Sequence, residues 1–192
     1  MPEPFESDIA RAVRALRSGG LVVYPTDTLV GLGARADDPA AVQRLLDAKA
    51  RPSSTPLSIA LSSHEELDRW TDLSDPRRAW IRRHLPGPYT ALLPASAEAR
   101  SKFAPSVLGP GGTLGVRIPD HPLARSLAEL VGPLTATSAN RHGEPPARSV
   151  ADARRVFGAD VAVYLDGAPA PSGRPSELVD LTGARPRSVR RG

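Results

Sequence analysis

Residues 21–33 read Leu21-Val22-Val23-Tyr24-Pro25-Thr26-Asp27-Thr28-Leu29-Val30-Gly31-Leu32-Gly33. Four apolar residues stopped by a proline predict a short buried strand. A polar turn with two hydroxyls and a carboxylate follows, and then a glycine pair. In an α/β sheet such groups at a strand's end can ring a ligand, and the glycines let backbone approach it closely. The same residues also suit an ordinary turn in which Asp27 bonds its own backbone. The spacing is not the dinucleotide-binding Gly-x-Gly-x-x-Gly.

Outward from this stretch, helix and strand signals alternate. Upstream, Ser7 can cap a helix with Ile9, Val13 and Leu16 on one face, ended by Gly19-Gly20. Downstream, Asp38-Pro39 is a cap followed by proline at the first helical position. Val42, Leu45, Leu46 and Lys49 continue that helix, Pro52 closes it, and residues 57–61 read as a strand. Ser63-x-x-Glu66 has the form of a capping box, and Ser74-Asp75-Pro76 opens another helix. Strands are expected over 89–93, 113–118, 133–137, 161–165, 178–181 and 188–190, and helices over 122–131 and 149–157. Residues 104–112 and 166–175 read as Gly/Pro loops. No repeat and no composition break divides the chain, so the expectation is one α/β domain with a mixed sheet over residues 1–192.

Composition narrows the chemistry. The chain has 192 residues, 40% of them hydrophobic and 24% charged, which suffices for a sizeable core. It has no Cys, which excludes disulfides, zinc–thiolate sites and a Cys nucleophile. Four scattered His make a His-based metal site an unfavoured reading, and no metal site is expected. No apolar run is long enough to span a bilayer, and the N-terminus does not read as a signal peptide, so a cytoplasmic protein without membrane contact is expected. There is no Gly-x-Ser-x-Gly elbow and no Gly-x-x-x-x-Gly-Lys-[Ser/Thr] loop. The net charge is +4, with 23 Arg and only two Lys, Lys49 and Lys102. A basic excess suits phosphate-bearing ligands, and it equally suits solvated helix faces.

Four further clusters can carry chemistry. Lys49-Ala50-Arg51-Pro52 sits at a helix end, where Lys49 can be a dipole-stabilised cation. Alternatively Lys49 and Arg51 aim together at one anion. Arg117 stands among apolar residues in Gly115-Val116-Arg117-Ile118-Pro119 and needs a partner if it faces inward, either a substrate carboxylate or a structural Asp. Thr137-Ser138-Ala139-Asn140 follows an apolar strand and can hold ligand oxygens or cap a helix. Ser176-Glu177-Leu178-Val179-Asp180-Leu181 and Val189-Arg190-Arg191-Gly192 close the chain.

Taken in order, these blocks resemble the YrdC/Sua5 family, the threonylcarbamoyl-AMP synthases of tRNA modification. The matching series is Tyr24-Pro25-Thr26-Asp27-Thr28 with Gly31-Leu32-Gly33, Lys49-x-Arg51-Pro52 with Pro56-Leu57, Gly115-Val116-Arg117, Thr137-Ser138-Ala139-Asn140, Pro175-Ser176 with Val179-Asp180-Leu181, and Val189-Arg190. The resemblance spans residues 7–192 and is to the short form without a C-terminal Sua5 domain.

The resemblance implies a twisted mixed-sheet α/β fold around a large electropositive cavity. The implied reaction joins L-threonine, bicarbonate and ATP into L-threonylcarbamoyladenylate and pyrophosphate, a nucleotidyl transfer with Mg2+ travelling with ATP. The product is handed to a tRNA-modifying threonylcarbamoyl transferase complex acting at adenosine 37. By resemblance, Thr28, Arg117 and Ser176 hold threonine. Lys49, Arg51, Thr55, Thr113, Ser138, Asn140 and Arg190 surround ATP, with backbone near Ala136 and Pro146 contributing. Lys49 and Arg51 are the expected catalytic charges. Alternatives are a YciO-like paralogue that binds tRNA or double-stranded RNA without catalysis, and carbamoyl transfer of the hydrogenase-maturation type. The chain departs from the common pattern at Leu29-Val30 (often Val-Tyr), Ala60 (often His), His142 (often Ser) and Glu177 (often Thr).

Overall fold

Pro25 does not end the sheet: the chain turns back on itself. Val22–Pro25 (β1) pairs antiparallel with Val30–Gly33 (β2), with Tyr24 opposite Gly31, in a computed structural model that describes residues 4–167 and 169–190, without the side chains of 4–7 and 190. The second strand of this hairpin was not expected, because Val30-Gly31-Leu32-Gly33 carries two glycines and reads as turn.

The chain then runs through Pro39–Ala48 (α2), Ser58–Ala60 (β3), His64–Trp70 (α3), Asp75–His84 (α4), Tyr89–Pro94 (β4), Ala97–Lys102 (α5) and Leu108–Gly109 (β5). Thr113–Arg117 (β6), Pro122–Val131 (α6), Leu134–Ser138 (β7), Val150–Phe157 (α7), Val163–Tyr164 (β8), Glu177–Asp180 (β9) and Arg187–Arg190 (β10) complete it. The first helix (α1) spans Pro4–Arg17, so it begins upstream of Ser7, the expected cap. Asp38 does cap α2, accepting from the amides of Ala40 and Ala41. Ser63 makes no side-chain cap bond; Glu66 instead accepts from the amide and hydroxyl of Ser62. No helix among the described residues is long and apolar enough to cross a membrane.

The strands form one mixed sheet in the order β10-β9-β4-β6-β3-β7-β2-β1-β8, with β5 on the side of β6. Side chains alternate across it, as strand geometry requires. On one face Val23, Leu32, Ile59, Leu93, Val116 and Val179 pack into the main core with residues of α2 and α7. On the other face Val22, Tyr24, Leu134 and Val163 pack under α1 and α6, which cover only the β8-β1-β2-β7 part. The rest of that face, over β3, β6, β4 and β9, carries Ser58, Ala60, Gly115, Arg117, Leu92 and Leu178. Among the described residues no helix forms a core cluster with this part of the face, and Ser58, Ala60, Gly115 and Arg117 stand beside Leu92 and Leu178 on it. The cavity is this uncovered half-face.

Candidate functional site

The cavity holds about 550 Å³. Thr28, Arg51, Thr55, Thr113, Arg117, Ser138 and Ser176 all line it, as do Ala136 and Pro146. Lys49 and Asn140 do not. Arg190 lies in β10, and its side chain is outside the described residues. Thr113, Gly115 and Arg117 share one face of β6, so Arg117 and Thr113 lie roughly 13 Å apart along it at ~3.3 Å per residue.

Arg117 is held from the Thr26–Thr28 turn. Its Nη2 donates to Asp27 Oδ1 at 2.6 Å, and its Nη1 donates to Thr28 Oγ1 at 2.8 Å. Thr28 Oγ1 lies 3.1 Å from Thr26 Oγ1. The turn's own backbone is bonded by Thr26, which accepts from the amides of Thr28 and Leu29 and donates to Leu29 O. Asp27 is therefore not the turn-former: its carboxylate is released to pair with Arg117, a partner the sequence left open. Burial pulls the Arg117 pKa below its usual value, and the Asp27 charge opposes this. Asp27 Oδ2 and Arg117 Nε are both buried without a hydrogen-bond partner. Such orphans are rare in native proteins and mark strain or a missing ligand. Ser176 Oγ lies 2.8 Å from Thr90 Oγ1.

The turn between Lys49 and Arg51 places them differently with respect to the cavity. Ala50 adopts φ +48°. Ala50 N bonds Asp47 O and Arg51 N bonds Leu46 O, the paired bonds of a Schellman helix end. Beyond that reversal, of the two only Arg51 lines the cavity. Arg51 reaches the cavity wall, donating to Thr55 O and to Pro56 O at 3.1 Å. Lys49 is 2% exposed, and its Nζ donates to Ser138 O and Asn140 O, each at 2.5 Å. Its pKa is pushed down to about 8, chiefly by burial and then by the Arg51 charge. Asn140 is similarly occupied: its Nδ2 donates to Arg141 O and Glu144 O, and its Oδ1 accepts from Ser138 Oγ at 2.5 Å. His142 N in turn bonds Lys49 O at 2.7 Å. The helix end and the 137–140 turn thus form one laced unit, with Ser138 on its cavity side.

The glycine pair divides its work. Gly31 lines the cavity. Gly33 does not: a Cβ there would stand 2.7 Å from Tyr24 Cε1. Gly33 makes room for the Tyr24 ring, not for a ligand. Tyr24 also lines the cavity, and burial pushes its pKa up to about 12 against the opposing Arg117 charge. Ser58 was not singled out from sequence; Tyr24 and Asp27 belong to the stretch that was, without an assigned role. The period-two pattern Thr113-x-Gly115-x-Arg117 was the available signal for which face of β6 meets the cavity, and Ser58 follows from it, because it packs where a Gly115 Cβ would be.

Among known proteins, a family model described as Telomere recombination, Sua5/YciO/YrdC, matches residues 14–192. Threonylcarbamoyl-AMP synthase of Chromohalobacter salexigens is 44% identical over 90% of this chain and 92% of its own length. Threonylcarbamoyl-AMP synthase of Vibrio vulnificus is 36% identical over 91% of this chain and 94% of its own. Among solved structures, P. abyssi Sua5 complexed with L-threonine superposes with a TM-score of 0.87 at 35% identity. The alignment covers 95% of the present chain, which spans 53% of that Sua5 chain. E. coli YciO gives a TM-score of 0.87 at 26% identity, covering 99% of this chain and 91% of its own. The chain belongs to the Sua5/YciO/YrdC family.

Proposed function

We propose that this chain is an L-threonylcarbamoyladenylate synthase, making threonylcarbamoyl-AMP and pyrophosphate from L-threonine, bicarbonate and ATP. Relatives bearing the name threonylcarbamoyl-AMP synthase over nearly their full length support the reading. The observation that carries it is the Arg117 guanidinium in the cavity wall, fixed by Asp27 and Thr28. A guanidinium held in this way is suited to a carboxylate, and threonine brings one.

The threonine nitrogen captures bicarbonate carbon as a carbamate with loss of water. A carbamate oxygen then attacks the α-phosphorus of ATP, and the bond to pyrophosphate breaks. Negative charge spreads over phosphate oxygens in that step, so fixed cations and hydroxyls supply most of the acceleration. Arg51 is the proposed cation at the phosphates, with Thr55, Thr113 and Ser138 as hydroxyl donors. Lys49 and Asn140 do not line the cavity and serve by fixing Ser138. Thr28, Arg117 and Ser176 take threonine, and Arg190 completes the nucleotide side. The roughly 13 Å between Arg117 and Thr113 along β6 gives room for both substrates. Mg2+ is proposed to arrive with ATP and to take its ligands from the triphosphate and water. The product passes to a tRNA-modifying transferase complex in the cytoplasm.

The test is pyrophosphate release from ATP and bicarbonate, with and without L-threonine. Threonine-dependent release is expected. Release with another amino acid only would change the substrate. No release and no saturable ATP binding would overturn the reading in favour of an RNA-binding paralogue, whose affinity should fall steeply with salt.

A further inference from the structure

We infer that Ser58 is a catalytic residue of this cavity, its hydroxyl donating a hydrogen bond to an oxygen at the junction where the carbamate meets the α-phosphate. This rests on the reading of the site given above.

Ser58 opens β3, and register fixes its neighbours on the cavity face. It pairs with Ala136 of β7. On its other side β3 runs parallel to β6 with Ala60 beside Arg117, which brings Ser58 alongside Gly115. A Cβ on Gly115 would stand 2.4 Å from Ser58 Oγ, so the hydroxyl leans over the glycine. Ser58, Ala60, Gly115 and Ala136 all line the cavity. The other three carry no side-chain donor or acceptor, so the hydroxyl is the polar group of this patch. Among the described residues Ser58 Oγ has no hydrogen-bond partner, and it is not sealed in the protein as Asp27 Oδ2 and Arg117 Nε are. The fold makes no use of this hydroxyl, and a molecule in the cavity can reach it.

Its place beside β6 says which part of the substrates it meets. Gly115 lies midway between Arg117 and Thr113, about 7 Å from each at ~3.3 Å per residue. Arg117 takes the threonine carboxylate and Thr113 lies on the nucleotide side, so the two substrates meet over Ser58 and Gly115. There a carbamate oxygen bonds the α-phosphorus while the bond from that phosphorus to the bridging oxygen breaks, its electron pair leaving with pyrophosphate. The hydroxyl keeps its proton and donates to an oxygen that carries the shifting negative charge. A donor placed in advance at that point lowers the barrier without adding to the affinity for either substrate alone. Gly115 keeps the place open, because a methyl there would displace the hydroxyl.

The test is the single-turnover rate of pyrophosphate release on wild type and Ser58→Ala, with enzyme in excess over ATP and L-threonine and bicarbonate saturating. The rate of Ser58→Ala is expected to fall about tenfold or more, the scale of one preorganised donor. Affinities for ATP and threonine, read by calorimetry, should stay within about threefold, and the variant should melt near wild type. An unchanged rate would make Ser58 a wetted wall residue and overturn the inference. So would an intact rate with a lost affinity for one substrate, which would place the hydroxyl in that substrate's own pocket. A Ser58→Ala that melts well below wild type would show the hydroxyl serving the fold, and would overturn it too. Gly115→Ala should slow wild type and slow Ser58→Ala much less, because the hydroxyl it displaces is already gone. Equal slowing in both backgrounds would trace the effect to a filled cavity and count against the inference. A wild type without threonine-dependent release is a failure of the underlying reading, and Ser58 falls with it. An active wild type with an equally fast Ser58→Ala is a failure of this inference alone.

Discussion

The Lys49 ammonium stands 2.5 Å from the carbonyl oxygen of Ser138, 89 residues away in sequence; Ser138 lines the cavity and Lys49 does not. This one bond, with its twin to Asn140 O, ties the end of α2 to the end of β7. It makes the placement of a cavity hydroxyl depend on a charge that does not line the cavity.

Lys49→Met keeps the length of the side chain and removes both donors. Two part-buried carbonyls lose this donor, Ser138 O retaining the Asn140 amide, and stability should fall by about 1–3 kcal/mol at neutral pH. Pyrophosphate release should fall at least about tenfold because Ser138 is no longer fixed. Urea unfolding and steady-state rates check the pair. Unchanged values for both would show that the lacing does nothing for the site.

The same lysine gives a pH dependence of known sign. Its folded pKa is about 8, against 10.5 unperturbed. Between those values the unfolded chain binds more protons than the folded one, so stability rises with pH there. The unfavourable burial of charge is fully present below pH ~8 and is relieved as pH approaches ~10.5. Wild-type stability relative to Lys49→Met should therefore increase across that window, by on the order of 2–3 kcal/mol. Denaturant melts of both proteins at pH 7, 9 and 10.5 measure it. A flat difference would mean that the bonds to Ser138 O and Asn140 O hold the lysine charged throughout.

Arg117 separates stability from recognition through the choice of replacement. Arg117→Ala strands the Asp27 carboxylate in the wall and should cost about 3–5 kcal/mol. Arg117→Lys keeps a cation near Asp27 and loses the planar fork that reaches Asp27, Thr28 and a third group at once. It should retain most of the stability while the KM for threonine rises about tenfold or more and the KM for ATP moves little. Equal shifts in both constants would place Arg117 at the nucleotide instead.

Much of this was legible before any coordinates. The alternation Thr113-x-Gly115-x-Arg117 marks a strand with one apolar face, and Asp38-Pro39 marks the start of α2; both are observed. What escaped has physical reasons. The strand at Val30–Gly33 is short and half glycine, so local propensity argues against it; it forms because β1 and β7 pair with it on either side. α5 is a single turn and a half, set by the Ser96 cap and too short for a periodic signal. The different placement of Lys49 and Arg51 depends on Ala50 adopting φ +48°, a conformation that an alanine does not advertise. The Asp27–Arg117 pair spans 90 residues, and long-range pairing has no local signature.

The glycine pair offers the last test, because Gly31 and Gly33 look alike in sequence and differ in what surrounds them. A methyl on Gly33 would sit 2.7 Å from Tyr24 Cε1 and 3.2 Å from its hydroxyl. The Tyr24 ring is 2% exposed and packed in the core under α1 and α6, and a shift away from the methyl would disturb that packing. Gly33→Ala should destabilise by about 1–3 kcal/mol, as overpacking does, and leave substrate constants nearly unchanged at a temperature where the protein stays folded. A methyl on Gly31 meets neighbours at 3.4–3.5 Å, close to ordinary contact, and enters the cavity. Gly31→Ala should therefore melt near wild type and raise substrate KM. Thermal melts and steady-state kinetics on the two variants distinguish the roles. The opposite pattern, an intact fold with lost binding in Gly33→Ala, would mean that the Tyr24 ring swings away and that Gly33 faces the ligand.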